Sequence, residues 1–185
     1  MRRSAVFFAW IIFSASPCMG GEGKPEGPRL ESEHIAIQLE SPEGGLGVSS
    51  IEHKSGGGTP ETFVKAAPGS ALIWRLVLRG PEEKAEEIRV DNRTPCKRSI
   101  RLDNASRSAR LRWEGIPLGG EESALDVEAE VRLAEDGAGS TWRLSATNRS
   151  RKAGFWEAHF PLFSGFAEKG ERDCGAQNAE RQGIS

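Results

Sequence analysis

Three side chains near the end of the chain, Phe155, Glu157 and His159, recur at every second position. In a strand that spacing puts them on one face. An aromatic ring, a hydrogen-bond acceptor and an imidazole pointing the same way can contact a sugar, or can pack against a neighbouring domain. Glu157 and His159 also carry the groups needed for base and acid in a proton transfer. Neighbours on one strand face do not stand on opposed sides of a substrate, so no catalytic role is assigned to them. The other histidines are His34 and His53.

A second set is Asp126, Glu128 and Glu130. Strand neighbours at i and i+2 lie roughly 6.5–7 Å apart, a separation met between the paired carboxylates of some glycosidases. Alternating charge on a solvated strand face explains the same pattern, and that reading is adopted. Cys96 and Cys174 show neither a CxxC spacing nor a neighbouring His cluster, so no structural zinc is expected; a disulfide between them is permitted in an oxidising compartment. The Gly56–Gly58 run lacks the GxxxxGK[ST] pattern of a phosphate loop and reads as a surface loop, and no GxSxG nucleophile elbow occurs. Neither a metal nor a cofactor is therefore expected. The arginines between Arg89 and Arg112 are interspersed with acidic and apolar residues without an accompanying aromatic surface, which argues against nucleic acid. Asn92-Arg93-Thr94, Asn104-Ala105-Ser106 and Asn148-Arg149-Ser150 match the N-glycosylation acceptor pattern and are read as chance matches.

These groups need a scaffold, and the chain supplies one after a leader. Arg2 and Arg3, the apolar run Ala5–Phe13 and the small residues around Gly20 have the form of a secretory signal over residues 1–20. The run falls short of the about 20 residues of a membrane span, so no transmembrane helix is expected. Pro17 before Cys18 fits a lipoprotein anchor poorly, which leaves a secreted or periplasmic product. Residues 21–33 are polar and rich in Gly and Pro, the composition of a linker. The 185-residue chain holds 22 Gly and 10 Pro, 28% charged residues and a net charge of −2. That composition fits one globular domain of short strands and turns, expected over residues 34–166.

Within that domain the alternation is consistent. Ile35, Ile37 and Leu39 precede an SPEGG turn and a return strand from Leu46 to Ile51. Ala71–Arg79 is apolar on both faces, as a central strand must be. The run Leu125–Leu133 alternates without a break and turns at Asp136-Gly137 into the strand beginning at Thr141. Trp74, Trp113, Trp142 and Trp156 each share a face with apolar residues and are expected in the core. The class is all-β, an antiparallel β-sandwich. Residues 167–185 carry no period and read as an irregular tail.

The order of these elements, with IEHKSGG, LIWRLVL, RLRWEGIPL, LDVEAEVRL and WRLSATNRS followed by FWEAHFPLF, resembles the N-terminal galactose-mutarotase-like supersandwich of multidomain secreted glycoside hydrolases. The resemblance covers about Ile35 to Phe166 and rests on structural motifs. It implies a non-catalytic module that packs on a catalytic (β/α)8 barrel and contacts carbohydrate. No barrel pattern follows Phe166, so the chain is expected to be a truncated or frameshifted fragment of a longer enzyme, with an incomplete sandwich whose exposed sheet edges favour association. Aldose epimerases share the broader fold, but the paired groups of their chemistry find no counterpart beyond Glu157 and His159. A structural or adhesive cell-surface sandwich would produce the same alternation and stands as the alternative.

Overall fold

The structure is a computed structural model that describes residues 27–54, 61–67, 69–82, 84–103, 105 and 107–165. The expected signal, Cys18, most of the linker, the Gly56–Gly58 loop, Asn104, Cys174 and the tail lie outside the described residues. Eleven strands run in chain order: β1 (Arg29–Glu31), β2 (Ile35–Leu39), β3 (Val48–His53), β4 (Glu61–Lys65), β5 (Arg75–Arg79), β6 (Glu87–Asp91), β7 (Lys97–Asp103), β8 (Ser108–Leu118), β9 (Glu121–Leu133), β10 (Ser140–Asn148) and β11 (Gly154–His159). They form three antiparallel sheets, β1-β2-β3-β4, β10-β9-β8-β7 and β11-β5-β6. The all-β class is as expected, and among the described residues there is no α-helix.

β9 anchors the fold. Leu125, Val127, Ala129, Val131 and Leu133 are buried while Asp126, Glu128 and Glu130 point outward, the period-two pattern of a sheet with one covered face. β9 pairs on both sides, with β8 and with β10. The β8–β9 connection turns through Gly119 and Gly120 at φ 51° and 83°, a positive-φ pair that glycine adopts without strain. Gly137, φ 71°, serves the β9–β10 turn as the Asp136-Gly137 pair predicts. Apolar residues of all three sheets meet in one core, and Trp74 and Trp113 cross edge to face at its centre, 5.4 Å between ring centroids.

Asn92, at the end of β6, is wholly buried and fully bonded. Its side chain accepts from the Ile73 amide and donates to the Gly45 and Ala71 carbonyls, each at 3.1 Å. The Trp113 indole N–H reaches the Gly45 and Asn92 carbonyls, also at 3.1 Å. One amide and one indole thus tie the turn before β3, the entry to β5, the end of β6 and β8 together. A buried, triply bonded Asn92 is not a glycan acceptor in the folded chain.

Three features depart from the sequence expectations. β1 lies within the Gly/Pro-rich stretch read as linker, because Leu30, wholly buried, pairs with Ile37 of β2 and completes that sheet's edge. The strand expected over Ala71–Arg79 is regular only from Arg75, since the Ala71 carbonyl and Ile73 amide are turned towards Asn92 instead of a ladder. β10 joins β9 as the Asp136-Gly137 turn predicts, and β11 pairs with β5. Trp156 is not in the core; it is 58% exposed, while Trp74, Trp113 and Trp142 are buried as expected.

The segment after β11 closes the domain. The Phe160-Pro161 peptide is cis. Beyond it Phe163 packs on Trp142 at 5.3 Å between ring centroids, the Leu162 amide donates to the Ile73 carbonyl, and the Lys65 amide donates to the Gly165 carbonyl. These contacts bind the β1–β4 sheet to the rest of the domain.

Candidate functional site

β11 is the edge strand of its sheet, and all six of its residues are exposed. Its register on β5 holds the reason for the misplaced tryptophan. Phe155 stands opposite Leu78, but Glu157 stands opposite Val77, so a β-bulge at Phe155–Glu157 takes up Trp156 as the extra residue. Alternation counted straight along the sequence fails at that point. Leu78 and Val77 point to opposite faces, so the bulge also parts Phe155 from Glu157 and His159. The three-residue face expected from spacing is therefore reduced to two.

Glu157 and His159 do lie together, with His159 Nε2 and Glu157 Oε2 3.1 Å apart. They bond to each other along one strand and do not face each other across a cleft, so the geometry gives no base and acid on opposed sides of a substrate. Beside them Trp156 replaces Phe155 as the aromatic of the outer face. The Arg79 guanidinium sits 4.6 Å from its ring centroid, a cation–π contact that backs the indole while more than half of the side chain stays open to solvent. Arg79 is held in turn by Glu87 of β6, 2.9 Å away. Sequence reasoning placed Trp156 inside and did not single out Arg79; the bulge that joins them has no sequence mark here, since β11 contains neither an internal Gly nor a Pro.

Around the start of β11 a groove of about 390 Å³ is lined by the aromatics Phe155 and Trp156 and by the cations Arg79, Arg151 and Lys152. The loop that carries Arg151 and Lys152 is shaped by Ser150, whose hydroxyl accepts from the Lys152 and Ala153 amides, and by Asn148, which accepts from the Ser150 amide and donates to the Ala153 carbonyl. A separate exposed aromatic, Phe63 of β4, stands edge-on to His53 at 6.2 Å.

The carboxylates Asp126, Glu128 and Glu130 occupy a different surface, the outer face of the β7–β10 sheet, and each meets an arginine. Glu128 pairs with Arg112 at 2.6 Å and Arg110 at 3.4 Å, Glu130 with Arg110 at 3.7 Å, and Asp126 with Arg149. This is the solvated, charge-alternating face expected from the sequence. The Arg149 hydrogen bond holds the Asp126 carboxyl below the ordinary carboxylate range against a partial burial that acts the other way, and the Gly115 amide adds to it. A depressed folded-state pKa contributes stability that is fully present above the unfolded value of about 3.9 and is lost as pH falls through the lower folded value. Asp126→Asn lacks that contribution. The difference in urea midpoint between wild type and Asp126→Asn should hold steady from about pH 7 to about pH 5 and shrink below about pH 4.

Among the described residues no group of three or more His, Cys, Asp or Glu could hold a metal ion, and no helix is long and apolar enough to cross a membrane. Burial pushes the Cys96 thiol above its ordinary range, opposed by Arg98. No family model, no curated protein and no solved structure matches the chain.

Proposed function

We propose that the chain is a non-catalytic β-sandwich module of a secreted carbohydrate-active enzyme, of the galactose-mutarotase-like kind found in glycoside hydrolases, which packs on a catalytic barrel and contacts carbohydrate through the outer side of β11. The observation that carries the reading is Trp156, an indole with 58% of its surface exposed and Arg79 stacked on its ring. A ring of that size standing in water forgoes burial worth about 2–3 kcal/mol, which a ligand laid over it recovers. A sugar presents an apolar C–H face to such a ring and hydroxyls to neighbouring polar groups. Glu157 and His159, on the same outer face, offer an acceptor and an imidazole within a side chain's reach. The antiparallel all-β scaffold supports the reading by holding these groups on a paired strand.

A glycan array probed with the full chain and with a Glu157→Ala/His159→Ala variant tests it. Binding by the wild type, weakened at least about fivefold in the variant, is the expected outcome. A folded wild-type chain that binds no glycan defeats the reading, and binding that the variant retains in full moves the contact away from β11. Both substitutions are at exposed positions, so melting temperatures should agree within a few degrees.

A further inference from the structure

The groove at the start of β11 differs from the rest of the charged surface in how its cations are matched. On the outer face of the β7–β10 sheet Arg110, Arg112 and Arg149 are each paired with a carboxylate. In the groove, Arg151 and Lys152 are exposed and neither makes an ion pair within 4 Å among the described residues. Among the described residues, the carboxylates that interact with the groove's cations are Glu87, bonded to Arg79, and Glu121, which accepts from the Ser150 hydroxyl and lies in the field of Lys152. Among the described residues cations therefore outnumber carboxylates at this spot, and two open aromatic side chains stand beside them: Phe155 at 48% exposure and Trp156 at 58%.

We infer that this groove binds an anionic saccharide, a chain of uronic acid residues, with Arg151 and Lys152 meeting a carboxylate and Trp156 meeting the apolar face of a sugar ring. The inference rests on the reading of β11 as a carbohydrate-contact surface and adds the charge class of the glycan. The chemistry of the two halves differs. Cations alone would take any polyanion and aromatics alone any pyranose; on a carbohydrate-contact surface, a charged sugar is the ligand that engages both. The groove's volume of about 390 Å³ lies at the lower end of ordinary ligand sites, room for one or two sugar rings and not for a long chain held end to end. Arg149, next in sequence, does not take part, because Asp126 already holds it.

The test is affinity electrophoresis of the full chain through gels containing polygalacturonate, its carboxyl-reduced neutral counterpart, or polyglutamate as a polyanion without sugar, with an Arg151→Gln/Lys152→Gln variant run beside the wild type. Polygalacturonate should retard the wild type at least about tenfold more strongly than either control polymer, and the variant should lose most of that preference while melting at the same temperature. Raising salt from about 50 to about 500 mM should weaken the polygalacturonate interaction and leave any neutral binding unchanged. Equal retardation by the neutral polymer overturns the anionic class and leaves β11 a general carbohydrate surface. Equal retardation by polyglutamate removes the sugar from the account, and a polygalacturonate preference undiminished in the variant places the site elsewhere. No retardation by any polymer overturns this inference, while the reading beneath it stands or falls on the glycan array.

Discussion

Trp113→Ala should destabilise the domain by about 4 kcal/mol, enough to lower its melting temperature by roughly 8–16 °C. The indole is fully buried, meets Trp74 edge to face, and gives its N–H to the Gly45 and Asn92 carbonyls. Truncation leaves a cavity the size of two rings and strips both carbonyls of one donor, so the transfer and hydrogen-bond losses act in the same direction. The neighbouring tryptophan supplies a control. Trp74 Nε1 is buried with no hydrogen-bond partner among the described residues. Trp74→Phe therefore removes an unsatisfied donor along with some apolar area, whereas Trp113→Phe removes a satisfied one. Thermal melts should show the Trp113→Phe protein to be the less stable of the two by about 1–2 kcal/mol; equal losses would mean that the Trp113 hydrogen bonds contribute nothing.

Asn92→Leu should cost about 3 kcal/mol, although leucine has the same branched outline and the site is wholly buried. The Ile73 amide and the Ala71 carbonyl would lose the side-chain amide that now satisfies them, and the Gly45 carbonyl would keep only the Trp113 indole. Buried backbone groups left without partners cost far more than the net value of the bonds lost. Asn92→Asp sharpens the test. The carboxylate could accept from Ile73 but would turn an oxygen towards two carbonyls, so this variant should be as unstable as Asn92→Leu at pH 7 and recover as the pH falls and the buried carboxyl takes up a proton. Because Trp113 and Asn92 are the two side-chain donors to the Gly45 carbonyl, only the double variant Trp113→Ala/Asn92→Leu strips it of both, and that protein should lose more than the sum of the single losses. Urea midpoints for the four proteins supply that cycle.

What the sequence disclosed follows from how local each pattern is. Leu125–Leu133 was legible because one face of β9 is covered along the whole run and nothing interrupts its alternation. The Asp136-Gly137 turn was legible for the same reason, since its chemistry is contained in two residues. β1 was hidden: Leu30 is a single buried apolar residue among Gly, Pro and charges, and its strand exists only because β2 offers an edge. The partner of β11 was hidden as well, because pairing with β5 is a long-range choice that the Trp142 and Trp156 patterns leave undetermined. At the candidate site, alternation brought Glu157 and His159 together correctly and put Phe155 with them wrongly. A bulge shifts the parity of every residue on one side of it, and here it moved Trp156 from the expected core to the surface beside Arg79.

The claim on which the functional account depends is that Trp156 faces outward to meet a ligand. Calorimetric titration of wild type and Trp156→Ala with the strongest glycan from the array, accompanied by a thermal melt of each protein, tests it most directly. The account predicts a dissociation constant raised at least about tenfold in Trp156→Ala with a melting temperature within a few degrees of wild type. An unchanged dissociation constant, or a fall in melting temperature of the size expected for Trp113→Ala, would contradict it.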